Sequence, residues 1–145
     1  MLYNKLKFLK YILFPFQTIY SIIIFTRNKL YNQNILSIYH ASPLIISVGN
    51  LNVGGTGKTP MTEYLIRMFK TKRIAVLSRG YKRNTKGFIM ANNTCSSKNL
   101  GDESYQLYHK FRKTLIACDT NRVNGVQKII EYDPKIEVII LDDAF

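Results

Sequence analysis

The chain has 145 residues, 46% of them hydrophobic, which is the size of one ordinary domain with enough apolar material to bury a core and excludes a disordered or fibrous protein. Its 21 Lys and Arg against 9 Asp and Glu give a formal net charge of +12, the balance of a protein that meets a polyanion or an anionic membrane surface. The charge is divided: the basic excess precedes Asp102, where Glu63 is the one acid, and the other acids, Asp102 among them, lie from there on.

At the N-terminus Lys5, Lys7 and Lys10 precede an uncharged stretch from Tyr11 to Thr26, and Arg27 and Lys29 follow. A helical membrane span needs about 20 apolar residues, so this stretch is short for one. No small-x-small cleavage site follows it, which argues against a signal peptide. Leu6, Leu9, Ile12 or Leu13, Phe16, Ile19 or Tyr20 and Ile23 recur at helical spacing. They describe either an interfacial anchor whose lysines meet anionic headgroups or a helix packed on the protein's own core. Residues 1–40 are therefore read as a membrane-associating helical segment, and residues 41–145 as a separate core.

From Pro43 the pattern alternates between strand and helix. Leu44 to Val48 is short and apolar enough for a buried strand, and it runs into a glycine-rich turn. Met61, Leu65, Met68 and Phe69 mark a helix whose first turn tolerates Pro60, because first-turn amides have no partner within the helix. Ile74 to Leu77 predicts a second strand, Gly87 to Met90 a short one, and Asn92 to Asn99 a mobile loop rich in Asn and Ser. Asp102 to Phe111 predicts a helix and Thr114 to Cys118 a strand. Asn121 to Tyr132 predicts a helix capped by Asp119 or Thr120, and Ile136 to Leu141 a last strand. This alternation predicts an α/β fold with a mainly parallel sheet covered on both faces. Cys95 and Cys118 are too few for a disulfide scaffold and have no metal-ligand spacing, so they fit a reducing compartment.

The chemistry gathers in Asn52-Val53-Gly54-Gly55-Thr56-Gly57-Lys58-Thr59. A strict phosphate loop, G-x-x-x-x-G-K-[ST], has glycine where this chain has Asn52. The remainder fits: Gly54, Gly55 and Gly57 free the backbone to turn amides onto phosphate oxygens, and the helix that follows presents its positive end. Lys58 is placed to reach the β- and γ-phosphates of a nucleotide, and the Thr59 hydroxyl to hold Mg²⁺. The strand ending in Asp142-Asp143 supplies the carboxylate that orients the metal ion in such sites. Adjacent acids on an extended chain point to opposite sides, and spacing alone does not divide their roles.

These blocks together resemble the tetraacyldisaccharide 4'-kinases, the lipid A 4'-kinases. The blocks are Ile46 to Leu51 leading into Gly54 to Pro60, then Leu77-Ser78-Arg79-Gly80-Tyr81-Lys82-Arg83, then Gly101-Asp102-Glu103, then Leu141 to Phe145. The resemblance covers nearly the whole chain in the family's order, and in that family the first glycine of the phosphate loop is commonly missing. It implies a P-loop NTPase-type, doubly wound fold with a membrane-interface helix in front. The implied reaction transfers the ATP γ-phosphoryl group, with Mg²⁺, to the 4'-hydroxyl of an acylated glucosamine disaccharide 1-phosphate at the cytoplasmic face of the bacterial inner membrane. By resemblance, Asp102 activates the acceptor hydroxyl with Glu103 assisting; on spacing alone Asp102 is equally a helix cap. Arg79, Arg83 and Arg122 are the candidates to contact the acceptor, although a run of cations also fits a solvated face. His40 and His109 match no catalytic position.

Family members continue past the Asp-Asp-x-Phe block into a second α/β half, so the chain reads as the N-terminal part of such an enzyme, incomplete as a kinase core. The alternative reading is a membrane-docked nucleotide-binding remnant without catalysis. A guanine nucleotide is not expected, because Tyr31 follows Asn28-Lys29-Leu30 where N-K-x-D needs aspartate, and Phe145 stands where D-x-x-G from Asp142 needs glycine. No motif interleaves aromatics with the basic residues as single-strand nucleic-acid binding requires, so nucleic acid is not expected either.

Overall fold

The computed structural model describes residues 2–49 and 57–144, with side chains from Phe14 onward, and divides into two compact units, Met1–His40 and Ala41–Phe145. In the first, α1 runs from Leu2 to Asn32. Pro15 lies inside it and has no amide to give to the ladder. Three residues on, the Thr18 hydroxyl donates to the Phe14 carbonyl at 3.0 Å. The helix closes through Asn34, whose φ of 55° is left-handed, and through the Ile35 amide, which donates to the Leu30 carbonyl at 3.0 Å. Phe14, Phe16, Tyr20 and Phe25 are each about two-thirds exposed, so an apolar surface runs along the helix. No helix among the described residues is long and apolar enough to cross a membrane.

The second unit is an α/β layer around five strands: β1 (Leu44–Val48), β2 (Ile74–Ser78), β3 (Ile89–Met90), β4 (Leu115–Cys118) and β5 (Val138–Asp142). Their spatial order is β1-β5-β2-β4-β3, with β1, β5, β2 and β4 parallel and β3 antiparallel to β4. Side chains alternate across β2. Ile74 and Val76 join Val48, Ile66, Leu107, Ile116 and Ile140 on the face that includes α2 (Lys58–Met68) and α4 (Asp102–Lys110). Ala75 and Leu77 join Ala117, Val126, Ile129 and Ile139 on the face of α5 (Arg122–Tyr132). Burial on both sides explains why β2 reads as an unbroken apolar run. Each buried Leu, Ile or Val contributes about 1.5–3 kcal/mol, so these two clusters hold the sheet and its helices together. Gly125 lets α5 approach closely, since a Cβ there would lie 2.6 Å from Leu77 Cδ2.

Two local expectations change. The cap of α5 is Asn121, whose side chain accepts from the Asn124 amide at 3.1 Å, rather than Asp119 or Thr120. Asp119 instead accepts from the Asn121 amide at 2.9 Å and from Asn124 Nδ2 at 2.6 Å, which fixes the cap from below. The segment Asn92–Asn99 is not one open loop. Asn99 Oδ1 accepts from the Ser96 amide and hydroxyl at 2.9 and 2.8 Å, and a single turn, α3 (Ser97–Leu100), follows. Its Leu100 is fully buried.

Candidate functional site

Parallel strands place their carboxyl ends on one edge of the sheet, and the register aligns Val48 with Asp142 and Ser78 with Cys118. Gly49, Arg79, Asp119 and Asp143 continue from those ends, so the polar residues that follow the apolar runs collect at one crevice. Asn52, Val53, Gly54, Gly55 and Thr56 lie outside the described residues. Gly57 is described: at φ 81° it takes the left-handed conformation that opens α2, and no side chain caps the helix there. Lys58 and half-buried Thr59 occupy the first turn, whose amides have no intrahelical acceptors.

The two aspartates at the end of β5 are held differently. Asp142 is 1% exposed; its Oδ1 accepts from the Thr62 hydroxyl at 3.0 Å, and its Oδ2 has no partner among the described residues. Burial pushes its carboxyl above the usual range; Asp143 adds to the rise, and Thr62, Lys58 and Arg122 oppose it. Asp143 is half-exposed, has a left-handed φ of 54°, and pairs with the Lys58 ammonium. That bond holds Lys58 above the usual lysine value. The two acids thus make different contacts: Asp142 faces α2 through Thr62, and Asp143 meets Lys58.

Asp102 and Glu103 open α4 beside this edge, both exposed. The cap of α4 is Gly101, at φ 85° and ψ 155°, so Asp102 is the first helical residue rather than the cap. A side chain at 101 would meet the Tyr81 carbonyl at 2.7 Å, and this close approach fixes the start of the helix. Partial desolvation and the neighbouring Asp142 carboxylate push Glu103 upward, against the pull of Lys58, which puts the acid cluster and the lysine within mutual electrostatic reach. Asp102 and Glu103 line a cavity of about 240 Å³ with Ser78, Tyr81, Lys82, Gly101 and Ser104. A larger cavity, of about 650 Å³, is lined by the amino end of β2 (Ile74), the end of α2 (Ile66, Arg67) and the end of α4 (Lys110), and contains none of the predicted site residues.

The arginines fare unequally. Arg79 is exposed and has no hydrogen bond or ion pair among the described residues. Arg83 donates to the carbonyls of Gly87 at 2.6 Å and Cys118 at 3.3 Å, so its guanidinium braces its own loop. Arg122 donates from one nitrogen to the carbonyls of Asp142 and Asp143, both at 2.7 Å, and from the other to Leu77 O at 3.3 Å and Asp119 O at 3.5 Å. Burial pulls it below the usual arginine value, and the charges of Asp143 and Asp142 oppose that. Both guanidiniums are thus engaged by main-chain carbonyls of the protein itself.

Sequence reading missed Thr62 and Glu63. A polar residue four positions after Lys58 on the face of Ile66 was the available sign of Thr62. Glu63 is 8% exposed and accepts from Arg67 at 3.1 Å and Lys110 at 2.5 Å, which ties α2 to α4 and lowers its carboxyl, chiefly through the Lys110 bond. Burial raises the Cys118 thiol, which donates to the Leu100 carbonyl at 3.3 Å and is not a reactive group.

The residues present suit a hard divalent cation beside a phosphate chain. Asp142 Oδ2 is a buried oxygen awaiting a partner, Thr59 carries a hydroxyl in the first turn of α2, and oxygen donors are what Mg²⁺ selects. Among the described residues no group of three or more His, Cys, Asp or Glu stands ready to chelate a metal by itself.

The model of the family described as tetraacyldisaccharide-1-P 4'-kinase matches residues 9–145. A tetraacyldisaccharide 4'-kinase of Flavobacterium psychrophilum is 50% identical over 142 residues, 97% of this chain and 41% of that protein. The corresponding protein of Flavobacterium johnsoniae is 47% identical over 138 residues, 94% of this chain and 41% of its own length. The crystal structure of an "apo" form of LpxK from Aquifex aeolicus in complex with ATP aligns with a TM-score of 0.73 at 39% identity, covering 93% of this chain and 44% of that one. The chain thus spans about two-fifths of the length of the relatives it matches.

Proposed function

Because this chain belongs to the tetraacyldisaccharide-1-P 4'-kinase family, we propose that it is the nucleotide-binding part of an enzyme that phosphorylates the 4'-hydroxyl of a tetraacyldisaccharide 1-phosphate in lipid A biosynthesis. The reading assigns residues 41–145 to a P-loop NTPase-type, doubly wound core and residues 1–40 to a membrane-associating helix. It sets the chain at the cytoplasmic face of the inner membrane. The observation that carries the reading is the juxtaposition of Lys58, Asp143 and the unpartnered oxygen of buried Asp142 at the carboxyl edge of the sheet.

Phosphoryl transfer is governed by positioning and by neutralising charge. ATP with Mg²⁺ supplies the transferable phosphoryl group and the cation that spreads its charge. Lys58 and the loop from Asn52 to Thr59 bind the phosphates; Asp143 holds the Lys58 ammonium near the crevice until they arrive. Thr59 and Asp142 would hold the metal ion through their oxygens, and Asp143 would be free to add its carboxylate at the same edge. Asp102 takes the proton of the acceptor hydroxyl, and Glu103, with its raised carboxyl, is the neighbouring group able to share it. Arg79, exposed just past the end of β2, meets the acceptor's 1-phosphate.

The experiment is a binding titration of this chain with ATP in the presence and absence of Mg²⁺, beside Lys58→Ala. Mg²⁺-dependent ATP binding that disappears in Lys58→Ala supports the reading. Equal ATP affinity in the two proteins overturns the site. Transfer of labelled phosphate to the acyl disaccharide tests the chemistry; we expect binding without turnover from this chain alone, since closing over an acceptor needs more surface than these residues provide.

A further inference from the structure

We propose that Arg122 is a positioning residue for the metal-binding end of β5, acting through the protein's main chain rather than through the acceptor. The inference rests on the reading above for what Asp142 and Asp143 bind, but its structural basis stands apart from it.

The side chain leaves the first residue of α5 and crosses to the carboxyl edge of the sheet, where it is half-buried. One terminal nitrogen donates to two consecutive carbonyls, Asp142 O and Asp143 O, at 2.7 Å each. The other reaches Leu77 O in β2 at 3.3 Å and Asp119 O, just past β4, at 3.5 Å. A single planar cation thus joins the ends of three adjacent strands. Two neighbouring carbonyls converge on one donor only if the chain turns between them, and Asp143 makes that turn by taking φ 54°, a conformation that costs a non-glycine residue about 1–3 kcal/mol. Charge-assisted bonds to both carbonyls stabilise the turn.

The turn decides where two carboxylates point. The Asp142 side chain is anchored to Thr62 and that of Asp143 to Lys58, both on α2, so α2 fixes the side chains while Arg122 fixes the peptide between them. Loosening that peptide moves the unpartnered Asp142 oxygen relative to Thr59. Lysine is no substitute, because a compact ammonium cannot reproduce the planar fork that serves carbonyls on three strand ends. An arginine committed to four carbonyls also has little donor capacity left for an acceptor phosphate.

The test uses the whole chain as wild type, Arg122→Lys and Arg122→Gln, with Lys128→Gln as a surface control. The first readout needs no ligand: hydrogen exchange of the Ala144 amide, which donates to Val48 O at 3.2 Å across the end of β5. We expect exchange to speed by about tenfold or more in both Arg122 variants and to stay unchanged in the control, consistent with the loss of charge-assisted bonds. The second readout is the Mg²⁺ concentration that gives half-maximal ATP binding. It should rise by about 10–100-fold, the range for losing a group that orients metal ligands, while metal-free ATP affinity stays within about twofold.

Unchanged Ala144 exchange in Arg122→Lys overturns the proposal, and so does a lowered melting temperature with an unaltered Mg²⁺ requirement, which marks a merely structural residue. Weaker acceptor binding with both readouts unchanged restores Arg122 as a substrate contact. If the wild-type chain binds no ATP, the functional reading falls, and the exchange measurement alone still decides whether Arg122 orders the end of β5.

Discussion

Substituting Asp142 by Asn should make the metal-free protein more stable while removing its response to Mg²⁺. The wild-type carboxylate is 1% exposed, has one donor in Thr62 and leaves Oδ2 unpartnered among the described residues. An under-satisfied buried charge costs several kcal/mol even after relaxation, whereas an under-satisfied neutral amide costs about 1–3 kcal/mol. Asn keeps the Thr62 bond and exchanges the larger penalty for the smaller, a net gain of about 1–2 kcal/mol once the lost attraction to Lys58 and Arg122 is counted. For a unit of about one hundred residues this is a rise of roughly 4–8 °C per kcal/mol in melting temperature. The sign with pH follows from the raised carboxyl. Its contribution to stability is fully present below the unfolded-state value, near 3.9, and is lost as the pH rises through the raised folded-state value, so the penalty for the wild type grows as the pH rises. Glu63 and Glu137 are lowered, and their contributions run the other way, lost as the pH falls. The difference between wild type and Asp142→Asn isolates the one group. Thermal melts at pH 7.5 with EDTA, then with Mg²⁺ and ATP, make the comparison. A variant less stable than wild type in EDTA, or one that Mg²⁺ stabilises as much as wild type, refutes the argument.

Thr59→Ala should weaken the Mg²⁺ dependence of ATP binding while leaving metal-free binding in place, which calorimetry with and without EDTA will show. Gly101→Ala should destabilise by about 1–3 kcal/mol, because its φ is 85° and the new Cβ would meet the Tyr81 carbonyl at 2.7 Å; denaturant melts read the loss, and an unchanged midpoint would contradict it. The chain should sediment with anionic vesicles through the exposed apolar surface of α1, salt should weaken but not abolish the attachment, and removal of residues 1–30 should release it. Sedimentation that survives that removal argues against the helix as the anchor.

The elements of the sheet unit were legible because periodicity and punctuation agreed. Ile74–Ser78 is apolar because both faces of the sheet are covered there, whereas Leu44–Val48, expected as a buried strand, lies at the end of the strand order, buries only Val48 and leaves Leu44 56% exposed; Pro60 lies in a helical turn where a missing amide costs nothing. Lys58, Asp142 and Asp143, which the structure brings together at the end of β5, were legible as one set. Their partners were not. Nothing in the order of residues says that Asp142 turns to Thr62 and Asp143 to Lys58, because both contacts span about eighty positions and depend on how α2 settles on β1 and β5. The position of Arg122 in a motif marked it as a functional candidate without showing its partners. Its four carbonyl bonds depend on the meeting of three strand ends, which no local pattern encodes. Asp102 as helix cap failed for a simpler reason: the preceding glycine alone can take the backbone angles that the start of α4 requires beside Tyr81.

The strand order carries a consequence for how the molecule is assembled in time. β1 and β2 are not neighbours; β5 lies between them and pairs with both. On a ribosome, β1 therefore emerges long before any strand it can pair with, and some ninety residues of chain separate Val48 from its partner Asp142. Closing so long a loop is slow, and until it closes the apolar flanks of β1 and β2 stay open to chaperones or to other chains. The strand that completes the sheet is also the one that carries the two aspartates, so no intermediate can gain a finished sheet without gaining those acids in the same step. Folding and the arrival of these two carboxylates are a single event in this topology, and a nascent chain stalled before residue 138 would have neither.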